Sequence, residues 1–540
     1  MKRLVFVVIA LCALSLSLMA IPARPDAKTI LIQPDGSTIT AHLHGDDFYH
    51  YYTSADGKLL ERADDGFYRA TEMPSAEEMC ARAARSPRRI TQQQNSLTRN
   101  LAPRGLFILV NFSDLAFKTD IAEIDSMING LNYSRNYSFT YGEKTYSVKS
   151  SGSARQYFHD CSFGQYNPVF DVIGPVTLSK GYAYYGGNNP ETNFDSHATD
   201  MIKEACTLVD DEVDFTQYDN DNDGKVDFVY VMYAGYSEAE GAGEDYVWPH
   251  NYHLSYANVK CTVDGVRVDN YACSNELSYY TEQHDGIGTF CHEFSHVLGL
   301  PDLYATNYAP HKTMGQWDVL DSGPYNNEGN TPPYYSAYER FFMGWLTPTV
   351  INKACNVEMY NLGESNTAAL ITVSGKHNLD GLNPKPATFY MLENRQNKGW
   401  DEHLPGHGML ITKITFNEQV WANNEVNDNG SSMGVDIIEA DGLAPETNEN
   451  DPYNGHEGKE GDAYPTGSRA FSSVATFRVT SITEKNGIIN FLVNGGGEKV
   501  VLAVDDIVMP TGKVTKKILR DGQILIERNG VYYDLLGNRQ

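Results

Sequence analysis

Two histidines four residues apart with a glutamate between them, His292-Glu293-Phe294-Ser295-His296, are the residues of this chain best suited to chemistry. On a helix that spacing stacks both imidazoles on one face, one turn apart, where they can share a zinc ion. Glu293 then stands beside the metal, placed to take a proton from a water that the metal acidifies. Gly299 admits the left-handed backbone that ends a helix, and Pro301 cannot continue one. The chain therefore turns back and brings Asp302 round as a third ligand. Glu328 and Glu339 are the alternative third ligands, giving a set of two histidines and a glutamate, and Asp302 would then only brace the loop. A bare H-E-x-x-H also arises by chance in helices that bind nothing. Here apolar Phe290, Val297 and Leu298 flank the pair, as a helix lining a cleft requires.

A second constellation is Asp219-Asn-Asp221-Asn-Asp223-Gly224, with Asp227 three residues on. Carboxylates at alternate positions of a tight loop aim oxygens inward, which suits calcium in a structural role. No glutamate closes the loop at position 12 and a strand follows, so it is not an EF-hand. The competing reading is a solvated turn.

The elements that must position these groups alternate. GLFILVNFSD at 105–114 reads as a strand buried on both faces, and DFVYVMYAG at 227–235 as another. SARQYFHDCS at 153–162, SHATDMIKEACTLV at 196–209 and the histidine-bearing stretch 286–299 read as helices, so an α/β (α+β) layered domain is expected over 103–348. Upstream, residues 21–102 combine short β-like runs with a polar stretch carrying Arg82, Arg85, Arg88, Arg89 and Arg99. They read as a small β-rich prodomain and its activation linker. Residues 349–496 give short strands between Gly, Asn and Asp turns, expected as an all-β sandwich-like module. A tail, 497–540, has strands around the hairpin dipeptide Asn529-Gly530.

Met1 to Ala20 has the basic start and apolar run of a cleaved signal peptide, with cleavage after Ala20 or Ala23. No other stretch approaches the ~20 apolar residues of a membrane span. A formal charge of -28 argues against nucleic acid and suits an exported protein that binds divalent cations. The seven cysteines after residue 20 are too few for a disulfide-built fold; Cys261 with Cys273 is the pair considered for a bridge.

HEFSHVLGLPDLY, GQWDVLDSGPY and YSAYERFFMGW resemble the immune inhibitor A family of secreted bacterial zinc metalloproteases. GLFILVNFSD, YFHDCSFGQY, FDVIGPVTL, DNDNDGKVDFVYVMYAG, YMLENRQ and LPGHGMLI extend the likeness over most of 103–440. The resemblance implies a metzincin-like catalytic domain with His292, His296 and Asp302 on zinc and Glu293 as general base. It also implies protein or peptide substrates and a location outside a bacterial cell or on its surface. One departure is that Leu320 stands where such sites place a methionine beneath the metal; Met314 is a second candidate for that floor. The tail resembles the C-terminal sorting domains of the type IX secretion route, which would link it to secretion machinery, and equally an ordinary terminal hairpin. For latency, Cys80, Asp46 and Asp47 are candidate blocking side chains, and a leader that merely covers the cleft is the alternative.

Three functions compete: a zinc endopeptidase, a catalytically silent binding or adhesion protein on the same scaffold, and a zinc hydrolase of non-peptide substrates. A silent relative has no need of Glu293, which favours the first.

Overall fold

The structure, a computed structural model, describes residues 19–503 apart from 26, 84–101, 142, 190–193, 442–461 and 466–467. It also describes the strands at 516–520, 523–528 and 531–533. The expected signal segment up to residue 18 and most of the arginine-rich linker lie outside the described residues. Two compact units divide the chain, Met1–Leu502 and Ala503–Gln540.

The first unit is mixed α/β. Its central sheet runs in the order Met19–Ala20, His250–His253, Asn270–Asn275, Val229–Tyr233, Arg104–Asn111, Val169–Thr177. The last four strands are mutually parallel, joined by crossovers long enough to carry helices. His250–His253 runs antiparallel to them, and Met19–Ala20 adds antiparallel to that strand, Met19 opposite Asn251 and Ala20 opposite His250.

Strand Arg104–Asn111 is buried on both faces, as its unbroken apolar sequence requires. Leu106, Ile108 and Val110 pack with Met201, Ile202 and Ala205 of the helix Ala198–Val209. Phe107 and Leu109 point the other way, into a core holding Phe290 and Phe294 of the helix Gly288–Val297 and Phe158 of the helix Ala154–Cys161. Ser153 starts the last of these by accepting from the Gln156 amide at 3.2 Å. Phe294 meets Phe158, Phe170 and Phe228 edge-on at 5.0–5.2 Å between ring centres. Truncating it to alanine is expected to cost roughly 3–5 kcal/mol.

Residues 28–71 form a five-stranded antiparallel meander. Residues 349–502 form two sheets: a five-stranded one built on Thr388–Arg395 and Gly408–Thr415, and a four-stranded one containing Cys355–Met359. Alternation along Thr388–Arg395 sends Leu392 into the core between the two sheets, with Val357, Ile411 and Phe491. Phe389 and Met391 go into the same core as Phe290. The segment expected as an accessory module thus shares a core with the segment that carries the histidines.

The second unit is a three-stranded antiparallel sheet, Lys516–Arg520, Gln523–Arg528 and Val531–Tyr533. Arg528 pairs with Val531, flanking the dipeptide Asn529-Gly530, which lies outside the described residues. No helix among the described residues is long and apolar enough to cross a membrane.

The bridge considered for Cys261 and Cys273 is not formed. Cys161, Cys206, Cys261, Cys273, Cys291 and Cys355 are free, buried thiols. Cys261 hydrogen-bonds with the Cys206 thiol, whereas Cys273 Sγ lies 3.7 Å from His250 Nδ1.

Candidate active site

The helix Gly288–Val297 is wholly buried and carries His292, Glu293 and His296. Leu298 caps it, and Gly299 follows at φ +94°, where a side chain would be strained. The chain then reverses through Leu300 and Pro301, and Asp302 returns to the histidines. His292 Nε2 and His296 Nε2 lie 3.1 Å apart, and Asp302 Oδ1 is 3.3 and 3.2 Å from them.

The Nδ1 atom of His292 faces the Val319 carbonyl at 2.7 Å, and that of His296 the Leu300 carbonyl at 2.9 Å. A carbonyl only accepts, so both rings carry their proton on Nδ1 and turn the Nε2 lone pair inward. Burial keeps His292 neutral, pushing its pKa below the usual imidazole range. Asp302 Oδ1 has no hydrogen-bond partner. Three lone-pair atoms converge with no proton between them, an arrangement that repels itself unless a cation stands in its centre. Tetrahedral zinc with bonds of about 2.0–2.1 Å separates its ligand atoms by about 3.3 Å, so the donor set fits the ion.

Asn424 holds the third group from 122 residues away. Its Nδ2 donates to Asp302 Oδ2 at 2.6 Å and its Oδ1 accepts from the Asp302 amide at 2.8 Å. Beneath the helix, Leu303 N–H donates to the Leu320 carbonyl at 2.8 Å, and Leu320 is fully buried. Leu320 and Met314, the two candidates for the floor expected beneath the metal, are both buried in the core that holds this helix. The alternative third ligands are engaged elsewhere. Glu339 closes a capping box with Ser336, and Glu328 pairs with Arg24 at 2.8 Å.

Glu293 Oε1 accepts from the Ile21 amide at 2.9 Å, while its Oε2 is buried without a partner. Burial, reinforced by the Asp302 charge, pushes its carboxyl well above the usual range. The carbonyl on the other side of that peptide bond, Ala20 O, accepts from Tyr304 Oη at 2.9 Å. Trp248 Nε1 donates to Ile21 O at 2.9 Å, and Tyr325 Oη donates to Pro22 O at 2.7 Å. An extended stretch of leader therefore lies across Glu293, bonded through its backbone. A backbone amide, rather than the Asp46 or Asp47 carboxylate, is what bonds Glu293; Asp46 instead accepts from Tyr304 Oη at 2.8 Å. The Cys80 side chain lies outside the described residues.

Asp219, Asp221 and Asp223 also gather, their oxygens within 4.8 Å of one another. Asp227 does not join them: its Oδ2 accepts from the Asn220 amide at 2.7 Å and the Asn220 side chain at 2.8 Å.

Residues 92–346 match the immune inhibitor A peptidase M6 catalytic domain. That segment, a little under half of the chain, is the part that resembles the immune inhibitor A peptidases. Its relatives include the "Pre-pro-metalloprotease PrtV" of Vibrio cholerae serotype O1 (strain M66-2), 27% identical over 282 residues. That match covers 45% of this chain and 30% of the relative. "Immune inhibitor A" of Bacillus thuringiensis subsp. alesti is 25% identical over 267 residues, 44% of this chain and 39% of that protein. The chain thus matches between three and four tenths of the length of these curated relatives.

The short-range pattern at 292–302 was readable in the sequence, but Asn424, Tyr304 and the leader backbone were not. Tyr304 stood inside the quoted motif, two residues after Asp302, and a tyrosine beside a metal site was the available signal.

Proposed function

We propose that this chain is an exported zinc endopeptidase with a metzincin-like site, held silent by its leader. The observation that carries this reading is the buried triangle of His292, His296 and Asp302 beside Glu293. In the uncut chain the Ala20–Ile21 peptide bond lies across that glutamate; cleavage of the signal segment after Ala20 would leave the Ile21 nitrogen there.

His292, His296 and Asp302 would hold zinc, which when bound polarises the scissile carbonyl and acidifies water. Glu293 would take a proton from the attacking water and pass it to the leaving amine, a general base that becomes a general acid. Tyr304 is placed to donate to the scissile carbonyl oxygen as charge builds on it, as it now donates to Ala20 O. Asn424 keeps Asp302 aimed, and the two backbone carbonyls keep the imidazoles aimed.

In the full chain the leader occupies Glu293, so residues 21–102 act as a prodomain and the linker between Arg82 and Arg104 is its release point. Asp219, Asp221 and Asp223 would take a structural calcium, and the tail would serve as a sorting signal for export.

The test is zinc analysis of the full chain together with casein hydrolysis before and after limited trypsin treatment, with a chelator control. About one zinc per chain, with chelator-sensitive activity appearing once the linker is cut, is the expected result. A zinc-loaded, linker-cut protein that leaves casein and gelatin intact would overturn the endopeptidase reading.

A further inference from the structure

Four residues beyond the Ala20–Ile21 bond, the leader buries an arginine in an acidic pocket of the catalytic layer. Arg24 Nη2 donates to Glu328 Oε2 at 2.8 Å, and its Nη1 lies 3.5 Å from Glu240 Oε1. Its guanidinium carbon stands 4.3 Å from the centre of the Tyr280 ring. The Arg24 backbone amide donates to Ala239 O at 3.0 Å, which fixes the chain's direction along the cleft.

The carboxylates of the pocket are held from the catalytic segment, while the leader's Lys28 amide donates to Tyr280 Oη at 2.9 Å. Glu240 is held by the Tyr279 amide at 2.7 Å and the Ser278 hydroxyl at 3.3 Å. Burial pushes the Asp285 carboxyl up to about 6, with Arg24 among the groups opposing that rise, and it receives the Gly286 amide at 2.8 Å immediately before the histidine-bearing helix. Glu328 lies on the turn whose next carbonyl, Gly329 O, accepts from Gly288 at the start of that helix, at 2.8 Å. The pocket and the metal triangle therefore share one rigid element.

When the leader departs, the Arg24 guanidinium leaves with it, and Arg135, the other cation acting on Asp285, stays committed to the His284 carbonyl at 2.7 Å. Burial, with the Asp285 charge beside it, pushes the Glu240 carboxyl up to about 8 and Arg24 opposes that rise, so the emptied pocket takes up a proton or a ligand that brings a cation. A planar guanidinium can meet two carboxylates while stacking on Tyr280, which an ammonium does less well.

We propose that Glu240, Glu328 and Asp285, with Tyr280, form a specificity subsite for a basic side chain. Preferred substrates are polypeptides with arginine as the fourth residue after the scissile bond, and Arg24 plugs this subsite in the full chain. The proposal rests on the peptidase reading above and on substrate following the leader's direction.

Two measurements test it. In the first, linker-cut enzyme is given peptides that differ only in Arg, Lys, Gln or Glu at the fourth position. The expected kcat/KM order is Arg, Lys, Gln, Glu, with Arg at least about tenfold over Gln. That ratio should fall towards one in Glu328→Gln, whose side chain is partly exposed and tolerant, and further when Glu240→Gln is added. A ratio near one in the wild type, or a preference untouched by both changes, overturns the subsite. The second needs no turnover: the leader's dissociation from the linker-cut protein is followed by size-exclusion chromatography. Arg24→Gln should release it at least about tenfold faster, and Arg24→Lys should recover part of the retention. If no peptide is cleaved, the peptidase reading fails. The subsite then stands or falls on the release rates alone, and equal rates for the wild type and the Arg24→Gln variant dismiss it.

Discussion

The two groupings of acidic and metal-binding residues differ in what holds their charges apart. Around Asp302 everything is buried, the imidazoles offer lone pairs, and Oδ1 accepts nothing. Around Asp221 the carboxylates are largely exposed and spend their oxygens on their own loop. Asp219 accepts from the Asp223 and Gly224 amides, each at 2.9 Å. Asp223 accepts from the Lys225 amide at 2.9 Å and its ammonium at 2.8 Å. A buried, unsatisfied convergence requires an ion, whereas an exposed, self-satisfied loop only accommodates one. The comparison teaches that spacing alone does not rank metal sites; desolvation does.

The largest effect expected from this contrast is at Glu293. In linker-cut protein, Glu293→Ala should lower casein hydrolysis by about 10²–10⁴-fold, the usual worth of a general base. Zinc content should be unchanged, because all three ligands remain. Near-normal turnover in that variant would remove Glu293 from the chemistry.

Next come the residues that make the triangle stiff. Asp302→Ala should strip zinc at concentrations where the wild type is full. Asn424→Ala should weaken zinc by roughly 10–100-fold, the usual cost of losing a partner that orients a ligand. Competition against a fluorescent chelator reads both. An Asn424→Ala affinity equal to the wild type would show that the burial of Asp302 suffices without its clamp.

A third way to sharpen the comparison uses another grouping, Asp47, Asp195 and His250; the His250 ring meets the Trp248 carbonyl through Nδ1 at 2.7 Å and Tyr271 Oη through Nε2 at 2.9 Å. Asp47 of the leader is buried near Asp195 and 4.0 Å from His250. Burial, with the Asp46 charge added, raises its pKa from 3.8 to about 8. A docked leader then binds protons more tightly than a released one, so docking is fully supported below about pH 4 and loses that support as pH climbs towards 8. Leader release from linker-cut protein should accelerate between about pH 5 and 8, and Asp47→Asn should flatten the profile. A wild-type rate independent of pH would mean that a cation rather than protons neutralises this cluster.

The smallest effect belongs to the exposed loop. Calcium at a hundredfold excess over Kd stabilises by about 2.7 kcal/mol if it binds only the folded state. Asp221→Ala with Asp223→Ala should abolish whatever rise in Tm calcium gives the wild type. A wild-type Tm indifferent to calcium reduces the loop to a solvated turn and widens the contrast with the buried site.

The sequence by itself determined what depends on neighbours along the chain. The i, i+4 spacing of His292 and His296, the stop at Gly299 and the return to Asp302 follow from helix geometry and the conformational limits of glycine and proline. The continuous apolar run at Arg104–Asn111 told of a strand covered on both faces, and the hairpin flanked by Arg528 and Val531 was legible in its turn dipeptide. Only the tertiary structure decided which distant groups complete the site. Asn424 reaches Asp302 across 122 residues, the Ile21 amide reaches Glu293 across 272, and Arg24 meets Glu328 across 304. The same is true of what fell away: Asp227 turns to Asn220, and Cys261 finds Cys206 rather than Cys273. Such pairings leave no period or spacing to read, because they are fixed by how sheets and helices stack to bury their apolar faces. That stacking brings polar groups together wherever the packed surfaces happen to meet.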